Sequence, residues 1–562
     1  GVPLGERAEA VLAALAAGSA VVLAVDPGLT GSSGALVEEW RAAGLPAGLV
    51  GIAARDDAAA LAVDPRVDRA LVLGDRGTAL ALIRRRPDLR VEGRFRVPGT
   101  VLVSPTADPA AAAEGAVRSA FGSGAGDARS ARVLIVFGSA ARSRRFRKRL
   151  ADAVRAIRPG DTAAPAGGDP LAFDLGPLPQ PPGEGGLRAL TELDGGEEWL
   201  VQPERLDEAG RLWRPGVRTG IRRDARFWRD AAGMPVIGLI TARTLDEALE
   251  LQRELGGGGV AALHSGSAEE LLPWLERTRA ASLVVGRPTG PERIERLPGG
   301  GWGDAGMGVQ TLAGGPNRLV TLGSWELREG TPSGTLHLRG LDPEVQVLIE
   351  AAQRVLDYES FDRVRRAALS DALSWRTTLG RVHDEIGLGV ERNLMRRWPV
   401  ATQIRLAERA SFTALIRVLA AALLVRAPVT VSTGAVLPGE LAEFLASQGI
   451  EVSLERDDAW HERIAVEASA AGPGTETSAG AAPESRVRLI GGDAVRAAEW
   501  LGGQSRVAVW AEPVTMAGPV ELLAFLREQS ISVAAHRYGL LAPPAGLEEW
   551  IAELDGRAAP GR

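Results

Sequence analysis

The sequence predicts an α/β protein with two successive parallel-sheet regions, and two observations predict it. Short apolar strands alternate with amphipathic helices at the spacing of a parallel sheet covered on both faces. The second region also echoes the first. Val11-Leu12-Ala13-Ala14-Leu15 leads into a strand at Ala20–Val25, then Pro27 and a helix ending in Ala42-Ala43-Gly44. Val418-Leu419-Ala420-Ala421-Ala422 leads into Val429–Ser432, then Pro438 and a helix ending near Gln448-Gly449. Arg69-Ala70-Leu71-Val72-Leu73-Gly74-Asp75 has a counterpart in Arg488-Leu489-Ile490-Gly491-Gly492-Asp493, which predicts two copies of a Rossmann-like unit.

The elements follow in order. Ala8–Ala17 has a helical pattern, Ala20–Val25 reads as a buried strand and Ser33–Ala43 as an amphipathic helix. Gly48–Ile52 and Ala70–Leu73 read as short strands. Strand Val101–Ser104, helix Ala110–Phe121, strand Val133–Phe137 and a basic helix to about Ile157 continue the alternation. In that last helix Phe146, Leu150 and Val154 face inward at four-residue spacing. Asp161–Gly186 is rich in Pro and Gly and reads as an irregular connection. Strand Val236–Ile240, helix Leu245–Leu255 and strand Leu283–Val285 then resume the pattern. Residues 343–378 read as a long helical region with Val345, Leu348, Ile349, Ala352 and Val355 on one face. The second α/β region starts after Gly387, and its Glu467–Glu484 insert has no apolar periodicity and is expected to be disordered. The expected division is 1–92, 93–295, 296–342, 343–386 and 387–562.

Composition restricts the chemistry. The chain has no cysteine among 562 residues, so thiolate nucleophiles, disulfides and Cys-metal sites are excluded. Lys148 is the only lysine, and no Schiff-base or phosphate-loop motif surrounds it. Five histidines (His264, His337, His383, His461, His536) show no metal-ligand spacing. Aromatics are 4%, so cores are built from Val, Leu, Ile and Ala. No window is apolar enough to span a bilayer and Glu6 and Glu9 interrupt the first apolar stretch, so a cytoplasmic protein is expected. The net charge of −6 offers nucleic acid no global attraction. The run Arg142, Arg144, Arg145, Arg147, Lys148 and Arg149 is strongly basic; a solvated helix face is the ordinary reading and a nucleic-acid site the alternative.

Several segments carry a family resemblance. Ala42-Ala43-Gly44-Leu45-Pro46-Ala47-Gly48, Pro298-Gly299-Gly300-Gly301-Trp302, Ala313-Gly314-Gly315-Pro316-Asn317 and Leu322-Gly323-Ser324-Trp325 resemble, in order, "AGVPxG", "PFGGW" and "AGGPN…LGxW". These are motifs of the aldehyde dehydrogenase superfamily, in the L-glutamate γ-semialdehyde (pyrroline-5-carboxylate) dehydrogenase half of actinobacterial proline utilization A. Glu391-Arg392-Asn393, Arg527 to Ser532 and His536-Arg537-Tyr538-Gly539 resemble that protein's non-catalytic C-terminal domain, and the resemblance covers almost the whole chain. It implies an aldehyde-dehydrogenase-like fold starting downstream of the family's own beginning, with a second dehydrogenase-like domain after it. It further implies NAD as cofactor, a homo-oligomer, and a proline dehydrogenase domain or protein as partner. No nucleic-acid partner and no membrane span are implied.

The family attacks its aldehyde with a thiolate and uses a glutamate to activate water. In the resembling "AGQKCSAA" loop, Arg129 stands at the cysteine position, with Ser130 beside it. Arg94 stands at the glutamate position, with Glu92 two residues earlier on the same strand face. The ribose-binding lysine and glutamate positions hold Ala24 and Ala231. The cofactor turn survives as Gly74, Gly77 and Thr78, and the substrate loop as Gly308, Gly314 and Gly315. Three functions remain open on this reading: an inactive scaffold, an active NAD-dependent L-glutamate γ-semialdehyde dehydrogenase, or a carboxylate-binding module using the amides of Met307–Asn317.

Overall fold

The computed structural model describes residues 4–122, 130–161, 172–290, 294, 296–328, 337–470, 485–502, 507–537 and 539–557. Its first part contains helix α1 (Leu4–Ala16), strand β1 (Val21–Val25), α2 (Thr30–Ala42) and β2 (Val50–Ala54). Next come β3 (Arg69–Gly74), α3 (Arg76–Arg85) and β4 (Arg90–Phe95). A large sheet then takes β5 (Gly99–Val103), β6 (Ala131–Phe137), β7 (Glu198–Val201), β8 (Gly216–Thr219), β9 (Val236–Ala242), β10 (Val260–His264) and β11 (Ser282–Val285). Helices α4 (Pro109–Phe121), α5 (Arg144–Arg155), α6 (Leu245–Leu255) and α7 (Ala268–Arg277) connect and flank these strands. β5 and β6 are buried at every position, as strands covered on both faces must be.

The short strand β12 (Gly306–Met307) precedes α8 (Pro343–Ala352) and α9 (Tyr358–Ser374). The expected single helical region over 343–378 is thus two helices, ending in a π-helical turn at Trp375–Leu379. The break has a local cause: Asp357 caps α9, its carboxylate accepting from the Ser360 amide at 2.7 Å, which starts a new helix where the old one would continue.

The last part holds β13 (His383–Asp384), β14 (Glu391–Pro399), β15 (Thr402–Leu406), α10 (Phe412–Leu424), β16 (Val429–Thr433), α11 (Gly439–Ser447) and β17 (Val452–Leu454). It continues with α12 (Asp457–Ala470), β18 (Ser485–Ile490), α13 (Ala494–Leu501), β19 (Val507–Trp510), β20 (Leu526–Ala534) and α14 (Leu547–Arg557). Of the expected disordered insert, 467–470 lies in α12 and 471–484 lies outside the described residues. The five parallel strands run β17-β16-β15-β18-β19, the doubly wound order.

The region after Gly387 does not close on itself. β14 and β20 pair with each other and extend the large sheet, which runs β13-β14-β20-β11-β10-β5-β6-β9-β8-β7. The boundary expected at 387 therefore cuts through one hydrogen-bonded sheet. Arg486 secures the return of the chain: it donates to the carbonyls of Leu523, Ala524 and Leu526, just where the chain leaves the five-stranded sheet for β20.

The internal echo is visible, with one difference. In the C-terminal unit the pairs β16–β17 and β18–β19 are joined by β15, which bonds to both. In the N-terminal unit the corresponding pairs fall into separate sheets, β1–β2 and β12-β4-β3, and no strand among the described residues takes the central place. No helix among the described residues is long and apolar enough to cross a membrane.

His264, at the end of β10, packs against α4, where a Cβ on Gly115 would sit 2.4 Å from its Cε1. Burial alone pushes this imidazole down to about 4. The folded state therefore refuses a proton that the unfolded chain accepts below about pH 6.5, and stability falls as pH drops from there toward 4. The expected loss between pH 7 and 5 is about 2 kcal/mol, measured by urea unfolding. His264→Leu is expected to remove that slope; an unchanged slope would show that other groups set the pH dependence.

Candidate functional site

Strand β4 is the hub. β3 runs parallel on one side with Gly74 opposite Phe95, while β12 runs antiparallel on the other with Gly306 opposite Arg94 and Met307 opposite Gly93. The two-residue period puts Glu92 and Arg94 on one face. On the other face the Phe95 ring lies across Gly93, where a Cβ would sit 2.2 Å from Cζ, so any larger residue would require the ring to move.

Glu92 and Arg94 belong to a closed ring of four charges. Arg318 Nη1 donates to both Glu92 oxygens at 2.9 and 3.0 Å, and its Nε donates to Glu9 Oε1 at 2.9 Å. Arg94 Nη1 donates to Glu9 Oε2 at 3.1 Å, and its Nη2 reaches Glu92 Oε1 at 3.5 Å. The four side chains are only 5–10% exposed. Burial works to strip the proton from Arg318, but Glu92 and Glu9 outweigh it and hold the guanidinium above its ordinary value. Arg94, expected from the resemblance at the base position, is thus a cation inside a neutral cluster, and a guanidinium accepts no proton. Glu92, the carboxylate on the same face of β4, has both oxygens bound to Arg318.

Arg129 lies outside the described residues. Its neighbour Ser130 is buried where β6 begins, and its carbonyl accepts from the Gly99 amide at 3.3 Å.

The cofactor turn is occupied from within. Gly74, at φ +109°, turns the chain out of β3, a conformation that favours glycine. Asp75 then caps α3: its carboxylate accepts from the amides of Gly77 at 3.3 Å and Thr78 at 2.9 Å and from the Thr78 hydroxyl at 2.8 Å. Burial tends to raise the Asp75 carboxyl, but those bonds win and keep it below the usual carboxylate range. A helix N-terminus attracts phosphate through free amides and positive potential. Here a resident carboxylate has taken both. Ala24, paired with Ala53 in β1, has no cation to offer a ribose, and Ala231 is fully buried. These residues do not fit a dinucleotide.

The substrate loop is likewise closed. Gly308, at φ +78°, passes so near β4 that a Cβ would sit 2.4 Å from the Val91 carbonyl oxygen. Gly314 and Gly315 lie farther along, against Ile294 and Leu312. From β20 the buried carboxylate of Glu528 accepts from the Leu312 amide at 2.9 Å and from Asn317 Nδ2 at 2.7 Å. The structure thus gathers Gly74, Gly77, Thr78, Arg94 and Gly308 around β4. The residues that complete the arrangement, Glu9, Arg318 and Glu528, were not among the sequence candidates. Their partners lie 226, 309 and 211 residues away in the chain, so no local period or spacing marks them.

The model of the aldehyde dehydrogenase family matches residues 2–320. The chain belongs to that family. The non-phosphorylating aspartate-semialdehyde dehydrogenase of Halomonas elongata is 24% identical over 315 residues, covering 54% of this chain and 62% of the relative. Among solved structures, proline utilization A from Corynebacterium freiburgense is similar at TM-score 0.75 and 28% identity, covering 95% of this chain and 49% of that one. The Thermus thermophilus 1-pyrroline-5-carboxylate dehydrogenase is 23% identical at TM-score 0.49, covering 56% of this chain and 60% of that one. This chain therefore spans less than two thirds of each of these relatives. Members of the family use NAD.

Replacing Arg318 by Met leaves two buried carboxylates with one guanidinium, and is expected to destabilise the protein by about 3–5 kcal/mol in urea unfolding. Glu92→Gln, which keeps one acceptor for Arg318, is expected to cost less. A loss below about 1 kcal/mol for Arg318→Met would mean that the ring does not hold this corner together.

Proposed function

We propose that this chain is a catalytically inactive aldehyde dehydrogenase homologue, related to the L-glutamate γ-semialdehyde dehydrogenase region of proline utilization A and retained as a structural or oligomerising scaffold. One observation carries the reading: the base position is a guanidinium locked in a neutral, buried ring, in a chain that contains no cysteine. Restoring the chemistry would take more than one substitution, because Arg94 is bonded to Glu9, and Glu9 to Arg318. The Asp75 cap adds an independent obstacle at the cofactor turn. Its partners, on this reading, are further copies of itself or a proline dehydrogenase domain or protein.

The active-enzyme alternative requires a nucleophile and a base that these positions do not provide. The carboxylate-binding alternative requires free amides in the substrate loop, and Glu528 already supplies a carboxylate to the Leu312 amide.

Two measurements test the proposal. Incubation of the full chain with NAD and L-glutamate γ-semialdehyde is expected to produce no NADH above the enzyme-free rate. Calorimetric titration with NAD is expected to show no saturable binding in the micromolar range. Turnover together with micromolar NAD affinity would return the chain to the active dehydrogenases.

A further inference from the structure

We propose that helix α5 is an electrostatic docking surface for the phosphate backbone of duplex nucleic acid, bound without regard to base sequence. α5 buries Phe146, Leu150, Ala151 and Val154 in the core. Its outward side exposes Arg144, Arg145, Arg147, Lys148, Arg149 and Arg155, with Arg142 exposed just before it. Its only acid, Asp152, lies 3.9 Å from Arg155. Among the described residues no carboxylate lies within ion-pair distance of Arg142, Arg144, Arg145, Arg147, Lys148 or Arg149. Arginines next to it in the fold are paired: Arg118 of α4 with Glu114, and Arg158, just beyond α5, with Asp174.

This arrangement works against the helix that carries it. Arg144 with Lys148, and Arg145 with Arg149, are like charges one turn apart, which repel. Arg144, Arg145 and Arg147 also crowd the N-terminal turns, where the helix dipole disfavours cations. Local rules broken together without internal compensation mark a surface shaped by something outside the fold.

The geometry selects the partner. At about 100° per residue, Arg144, Lys148, Arg145 and Arg149 span an outward arc of roughly 140°, while Arg147 leaves the helix between the directions of the buried Val154 and Ala151. A flat lipid surface meets only the crest of such a helix, and the apolar side that would insert into lipid is already buried. A duplex groove about 12 Å wide admits a helix and lines both its flanks with phosphates. The exposed arc has no aromatic side chain to stack on bases and no Asn or Gln to read an adenine edge; its unpaired cations suit phosphates, and unequal binding to two duplexes of unrelated sequence would reveal guanine contacts instead. The chain's overall charge of −6 does not oppose this at contact range, since salt screens charges beyond about 8–10 Å.

The test uses the full chain and fluorescence anisotropy with two labelled DNA duplexes of unrelated sequence. Equal binding to both is expected, with affinity falling steeply between about 50 and 200 mM salt at a log–log slope near −0.9 per phosphate engaged. The variant Arg144→Gln/Arg145→Gln/Arg147→Gln/Arg149→Gln, whose side chains are all exposed, is expected to keep its fold by circular dichroism. It should flatten that slope by about 3 to 4 and weaken binding at least about tenfold at low salt. Arg84→Gln/Arg85→Gln on α3, also exposed, should change affinity by less than about twofold. The proposal is overturned by absence of saturable binding at low salt, by an unaffected quadruple variant, or by equal loss in the α3 control. Tighter binding to phosphatidylserine vesicles than to the duplex would also overturn it, and would assign α5 to membranes.

Discussion

Two guanidinia and two carboxylates taken out of water together are the constraint around which the N-terminal half is arranged. Each ion buried alone would cost several kcal/mol, and only mutual pairing with good geometry makes the set tolerable. Glu9 comes from α1, Glu92 and Arg94 from β4, and Arg318 from the turn that follows the substrate loop. The ring therefore fixes a helix, a strand and a loop that are distant in sequence. It needs no closely packed apolar core to do so, which suits a corner where the buried clusters are small. Val11, Val37 and Val50 form one; Ala62, Leu82 and Leu89 form another. A cluster that neutralises itself also has no charge left to offer a substrate. The same bonds that stabilise this corner remove it from acid–base chemistry.

A second device recurs in both α/β units. After β3 the chain turns at Gly74 and Asp75 caps α3. After β18 it turns at Gly491, and Asp493 caps α13 through the amides of Val495 and Arg496 at 2.9 and 3.0 Å. An aspartate at this point stabilises the helix by roughly 1 kcal/mol and fills the position from which helix amides would meet a phosphate. The same aspartate cap thus stands at the corresponding turn of both units.

Much of the fold was legible because it follows from local pattern. Alternating apolar strands and amphipathic helices marked α4, β6, α6 and β9 within a few residues, and the repeated Gly-Asp turns marked the two units. What was not legible is long-range. Pairing of β20 with β11 joins residues about 250 apart, and nothing in Leu526–Ala534 distinguishes a strand that stays in its own unit from one that crosses to another. The same holds at the site. Arg94 was visible as a candidate through the resemblance, yet its contacts depend on Glu9 and Arg318. Complementary charges that meet only in the folded chain leave no periodicity to read. Glu9 in particular reads, in sequence, as nothing more than a polar interruption in α1.

The crossing of β14 and β20 bears on how the two halves are held together. A dehydrogenase-like unit with a free sheet edge at β11 would expose unpaired backbone donors and acceptors, which invites uncontrolled pairing. Here the C-terminal region supplies β14 and β20 to that edge, and Glu528 of β20 reaches further, to the Leu312 amide and Asn317 of the substrate loop. Trp302 joins the same contact, its indole donating to the Glu528 carbonyl at 3.0 Å. Through these contacts the loop is part of the joint between the two halves.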